Sequence, residues 1–78
     1  MTTRLTIQAT PPVGCDIIDA VRAGITLAIK LDVVVELDCN GVNVVCFAED
    51  DAQKLTNAYT DAIKRGRKLA ILAPEDRR

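Results

Sequence analysis

The 78-residue chain has no histidine and no tryptophan, and it has only one phenylalanine and one tyrosine. Without histidine it lacks the commonest general base, the commonest metal ligand and the usual activator of a nucleophile. Its four glycines are scattered, so the sequence contains no glycine-rich loop of the kind that holds phosphate. These absences predict a protein that is not an enzyme and that binds no metal and no cofactor.

Long apolar runs are also missing. No run approaches the roughly 20 residues that cross a bilayer, and no apolar signal core follows Met1–Arg4. The three cysteines are an odd number without short metal-type spacing, which favours free thiols in a reducing compartment. The sequence therefore predicts a cytoplasmic protein with no membrane contact.

What the chain does contain is aliphatic side chains, and 49% of its residues are hydrophobic. This content is enough for a folded core, and the length allows one domain, residues 1–78. Within that domain, residues 73–78 are expected to form a flexible tail. The core must consist of Val, Ile, Leu and Ala, because aromatic residues are so few.

Alternation and helical periodicity divide the chain into elements. Arg4–Thr10 alternates as a strand does, and the two prolines that follow end it. A helix with Asp16 as its N-cap runs to about Leu31, and Gly24 lies in its apolar arc, where it permits close approach to the sheet. A second helix begins after a cap at Asp50 or Asp51 and ends before Gly66, a natural residue for the left-handed end of a helix.

The segment Cys39-Asn40-Gly41-Val42 predicts a β-hairpin between strands Val33–Cys39 and Val42–Ala48. Lys68–Ala73 is either a fourth edge strand or an extension of the second helix. The order predicts a single α+β domain of βαββα(β) type. It favours the ferredoxin-like split βαβ fold, with an antiparallel sheet and both helices on one face.

A two-residue turn determines which strand residues face each other. The predicted core face pairs Cys39, Leu37, Val35 and Val33 with Val42, Val44, Cys46 and Ala48. The opposite, open face carries Val34, Glu36, Asp38, Asn43, Val45 and Phe47. An apolar patch beside acidic residues is typical of a protein interface, so these six are the predicted partner-binding residues. The same register separates Cys39 from Cys46 by more than a disulfide allows.

Charge is unevenly distributed along the chain. Residues 14–61 hold nine acids and three bases, a net charge of −6, whereas residues 62–78 hold six bases and two acids, a net charge of +4. The candidate nucleic-acid contacts are Lys64, Arg65, Arg67 and Lys68. The same basic residues can instead serve only to complement the negative end of the helix dipole, without binding a ligand. The acidic residues of the open face disfavour RNA binding by the sheet.

The short chain opens Thr3-Arg4-Leu5-Thr6-Ile7, continues with an Ile/Ala-rich helix and then has the hairpin segment Glu36–Val42. It resembles small accessory proteins that bacteriophages encode, including host-takeover and anti-CRISPR proteins. The resemblance assigns no residue roles. It implies a non-enzymatic inhibitor that occupies a surface of a host complex. The acidic body of the chain would suit a host surface that normally holds nucleic acid.

Two other functions stay open at this level. One is a nucleic-acid-binding regulator that uses the basic cluster. The other is an assembly module that forms a homodimer through the apolar residues Val34, Val45 and Phe47.

Overall fold

The computed structural model describes residues 5–11 and 14–73. Arg4, Pro12 and most of the predicted tail lie outside the described residues. The elements in chain order are β1 (Thr6–Ala9), α1 (Ile17–Leu31), β2 (Val34–Cys39), β3 (Val42–Cys46), α2 (Ala52–Lys64) and β4 (Leu69–Ala70). The α+β class is confirmed, and of the two alternatives for Lys68–Ala73 the structure has the edge strand.

The hairpin forms with the predicted register. Asn40 and Gly41 have φ values of 54° and 81°, as a type I′ turn requires, and Cys39 faces Val42 across it. The predicted second strand was too long, however, since β3 ends at Cys46. The expected pairs Val33–Ala48 and Val34–Phe47 therefore lie beyond the paired residues.

A tight turn ends β3, and the buried Asp50 closes it. Its backbone N–H donates to the carbonyl of Phe47 at 3.1 Å, and its Oδ2 accepts from the backbone N–H of Phe47 at 2.9 Å. These bonds use the backbone groups that Phe47 would otherwise offer to the sheet. Asp51, the next residue, caps α2 by accepting from the N–H groups of Gln53 and Lys54.

Removing the Asp50 side chain is expected to destabilise the protein. Asp50→Ala deletes a partly buried, charge-assisted hydrogen bond and should lower the free energy of unfolding by about 2 kcal/mol. Asp50→Asn keeps an oxygen in place to accept from Phe47 and should lose clearly less. Urea denaturation of both variants measures the difference, and equal losses would show that the turn does not depend on this acceptor.

The sheet is mixed, so the prediction of an antiparallel sheet was wrong. Its strand order is β1-β2-β3-β4, in which β1 runs parallel to β2, β2 antiparallel to β3, and β3 parallel to β4. The ferredoxin-like arrangement is not confirmed. Each helix instead connects two neighbouring parallel strands.

The two crossovers have opposite hands. Both helices lie on one face, where they contact each other, and both crossovers step across the sheet in the same direction. The strands β3 and β4, however, run opposite to β1 and β2. When the strand direction is reversed but the helix face and the direction of the step stay the same, the hand of the crossover is inverted. One of the two crossovers is therefore left-handed, although roughly 98% of such connections in proteins are right-handed.

The core lies between the helices and the sheet. Its largest fully buried side chains are Leu55, Val21, Val35, Val44 and Cys46. Gly24 faces this core directly, and a Cβ atom built there would lie 2.8 Å from the Cys46 Sγ atom. This confirms that the glycine permits the close approach of α1 to the sheet.

The helix ends differ from the prediction at one point. Asp16 occupies the N-cap position of α1, but its side chain makes no capping hydrogen bond, so the expected role of that carboxylate was wrong. The end of α2 follows the prediction, with Gly66 at φ 67°. The N–H groups of Gly66 and Arg67 donate to the carbonyls of Ile63 and Ala62, as in a Schellman motif.

Candidate functional site

The open face is the side of the sheet opposite the helices, and it carries five of the six predicted partner-binding residues by strand alternation. Val34, Glu36 and Asp38 come from β2, and Asn43 and Val45 come from β3. The register places Glu36 beside Val45 and Asp38 beside Asn43. Phe47 follows the last residue of β3, so strand alternation no longer determines its face.

The acidic part of this face is internally ordered. The Asn43 Nδ2 atom donates to the Glu36 Oε1 atom at 3.1 Å, which holds that carboxylate in place. Asp38, its neighbour on the same strand face, is exposed. A partner would therefore meet one oriented and one freely accessible carboxylate.

A shallow cavity of about 410 Å³ lies at this acidic end. Its polar lining residues are Gln8, Thr10, Glu36, Asp38 and Asn43. The lining combines two carboxylates with two amides, and these groups accept hydrogen bonds from ammonium or guanidinium donors. The cavity suits a basic side chain presented by a partner.

The apolar part of the face differs from the prediction in its members. Val45 is only 8% exposed, so it offers little contact surface, although the sequence places it in the patch. Leu69 lies beside Asn43 in the sheet and is 50% exposed, and Ile71 is 44% exposed. Leu69 therefore extends the open face along its β4 edge. Ile71 follows the last residue of β4, so strand pairing does not determine its face.

Sequence reasoning missed Leu69 as a site residue. The apolar run that contains it is too short to distinguish an edge strand from a helix extension. It also missed Thr6 and Gln8, which lie beside Val34 and Glu36 on the open face. Their placement depends on the parallel pairing of β1 with β2.

The basic residues Lys64, Arg65, Arg67 and Lys68 are all exposed and lie together where α2 passes into β4. Arg65 is engaged within its own helix, since its Nε atom lies 3.0 Å from the Asp61 Oδ1 atom. The exposed ion pair between Arg65 and Asp61 contributes little to stability. The Lys68 carbonyl accepts from the Asn43 backbone N–H at 2.8 Å, so the basic cluster borders the open face.

A second cavity, of about 680 Å³, opens at the hairpin end of the domain. Its walls come from the end of β1, the start of α1, the hairpin turn and α2. The Asn40 Nδ2 atom donates to the Tyr59 hydroxyl at 3.0 Å and ties the turn to α2. Cys15 and Cys39 also line this cavity.

Across residues 5–11 and 14–73, no group of three or more His, Cys, Asp or Glu side chains could hold a metal ion. In the same part of the chain, no helix combines the length and the apolar character that crossing a membrane requires.

Comparison with known proteins assigns no family. The chain matches no protein-family model, no curated protein sequence and no solved structure.

Proposed function

We propose that this chain is a non-enzymatic protein-binding module that acts through its open face. The partner presents an apolar side chain flanked by lysine or arginine. The observation that carries the proposal is the exposure of Leu69 on the same sheet face as the carboxylates of Glu36 and Asp38.

The apolar half supplies contact area. The Leu69 side chain is half exposed on this face and is available for burial by another surface. Ile71, two residues further along the chain, is exposed to a similar degree. Burial of apolar area is the main favourable term in protein association. Val45, on the same face, is only 8% exposed, so it adds little contact area.

The acidic half supplies selectivity. Glu36 and Asp38 attract basic groups and repel acidic ones, which raises the association rate and excludes wrong partners. The bond from Asn43 holds Glu36 before the partner arrives, so less side-chain freedom is lost on binding.

A finer version of the proposal comes from the resemblance to bacteriophage accessory proteins. In that version the partner is a host complex that handles nucleic acid, and the chain acts as its inhibitor. The acidic face supports it, because carboxylates would compete with phosphates for the same basic surface. Added nucleic acid is expected to displace the chain from such a partner.

Matched variants of the apolar half test the proposal. A partner captured from the cells in which the protein acts is purified, and its Kd is measured by titration calorimetry. Leu69→Lys is expected to weaken binding by about tenfold or more, because a charge replaces buried apolar contact. Ile63→Lys is the control, since Ile63 is 46% exposed but belongs to α2. Equal effects of the two variants would contradict the proposed face.

The acidic half is tested in the same titration. Glu36→Lys combined with Asp38→Lys is expected to slow association and to remove most of its salt dependence. Asp19→Lys reverses an exposed charge on α1 and should change neither. A partner bound equally well by the double variant would overturn the electrostatic part of the proposal.

The same purified protein separates the two alternatives. Light scattering measures the molar mass in solution. If the wild type is a dimer and Leu69→Lys is a monomer, the open face binds a second copy of the chain. Salt-dependent binding of an oligonucleotide, lost when Lys64, Arg67 and Lys68 become glutamine, would instead favour the nucleic-acid-binding regulator.

A further inference from the structure

Two of the three thiols share one cavity at the hairpin end. Cys15 is exposed and lies just before α1, next to Gly14 with φ 85°. Cys39 is buried and ends β2. Both line the 680 Å³ cavity, although 24 positions separate them in the chain.

We propose that Cys15 and Cys39 form a dithiol site that low-molecular-weight disulfides, such as oxidised glutathione, convert to an internal disulfide. The site adjoins the open face at Asp38, which lines the same cavity, but it does not depend on the proposed protein partner.

The two thiols differ in accessibility, and this sets the order of reaction. Cys15 is exposed, so a small disulfide reaches its sulfur from solvent. Burial raises the pKa of Cys39, with smaller contributions from Asp38 and from Cys15 itself. The shared cavity is the observation that brings the two thiols to the same end of the domain.

The reaction has two exchange steps. The Cys15 thiolate attacks one sulfur of the small disulfide, whose S–S bond breaks and releases one thiolate. The Cys39 thiolate then attacks the Cys15 sulfur, forms the protein disulfide and expels the second small thiolate. The two protein thiols lose two electrons and two protons, and the small disulfide is reduced to two thiols.

Cys46 is excluded from this site. It faces Val35, four residues before Cys39 on β2, so it lies roughly 14 Å along the strand from Cys39. A disulfide requires Cα atoms within about 7 Å. Cys46 is also fully buried, and burial, Asp50 and Cys39 raise its pKa to about 12.

The test uses oxidised glutathione and peptide mapping without reduction. After the remaining thiols have been alkylated, the wild type is expected to yield a peptide pair linked through Cys15 and Cys39, with fragmentation spectra that distinguish Cys39 from Cys46. Cys39→Ser should retain glutathione on Cys15 at about tenfold or more the wild-type level, because the resolving thiol is gone. Cys46→Ser should behave like the wild type.

Three results would overturn the proposal. They are a wild-type protein that keeps glutathione on Cys15 while Cys39 is alkylated, a link through Cys46, and equal glutathione retention with and without Cys39. If Cys39→Ser does not fold, the wild-type map alone decides, since it either contains the Cys15–Cys39 link or does not.

Discussion

Leu55→Ala is expected to lower the free energy of unfolding by about 3 kcal/mol, because it removes a large, fully buried side chain and leaves a cavity. Leu55 belongs to α2, which contacts α1, β3 and β4. A chain of 78 residues is stable by only about 4–12 kcal/mol in total. One truncated leucine therefore removes a large part of the stability of this domain.

Urea denaturation followed by circular dichroism measures this loss. The midpoint of thermal unfolding should also fall by about 10–20 °C. Ile63→Ala is the control on the same helix, and it should cost clearly less than Leu55→Ala, because Ile63 is already 46% exposed. Equal losses in the two variants would mean that α2 does not bury the face described above.

Gly24→Val is expected to destabilise the protein by about 3 kcal/mol. The new Cβ atom would meet the Cys46 Sγ atom at 2.8 Å and the Leu37 Cδ1 atom at 3.1 Å, and the valine methyl groups add further volume. Ala23→Val places the same side chain on the exposed face of α1, where only helix propensity changes, by roughly 0.5 kcal/mol.

A double-mutant cycle identifies the contact responsible. Gly24→Ala adds only the Cβ atom and should cost about 1 kcal/mol, against the general preference of helices for alanine. Cys46→Ala removes the sulfur that this atom meets. Urea denaturation measures the stability of both single variants and of the double variant. If the Cβ atom meets this sulfur, Gly24→Ala should cost much less in the Cys46→Ala background, which is a favourable coupling energy between the two positions. Additive losses would place the conflict elsewhere, most directly at Leu37.

Local chemistry made several features predictable from the sequence. Asn40-Gly41 supplies the two positive φ values of a type I′ turn, and the turn determines the register of β2 and β3. Asp51 and Gly66 begin and end α2 with interactions that span only a few residues. These signals operate between neighbours in the chain, so their outcome does not depend on the rest of the fold.

The candidate site was predictable only in part, for the same reason. The positions of Glu36, Asp38 and Asn43 follow from the hairpin alone. The shortened β3 follows from Asp50, whose carboxylate could have served as a helix cap and instead binds Phe47. The inclusion of Leu69 depends on the pairing of β4 with β3, which the hairpin does not specify.

The sequence by itself determined the class, the hairpin and its two faces, the helix signals and the need for a small residue at position 24. Only the tertiary structure decided the strand order, the parallel pairing at both edges and the opposite hands of the two crossovers. Strand alternation indicates only which face of a sheet a side chain occupies. The same alternation is compatible with the ferredoxin-like sheet and with the observed sheet. What separates them is contact between distant segments, β1 with β2 and β3 with β4, which local periodicity does not encode.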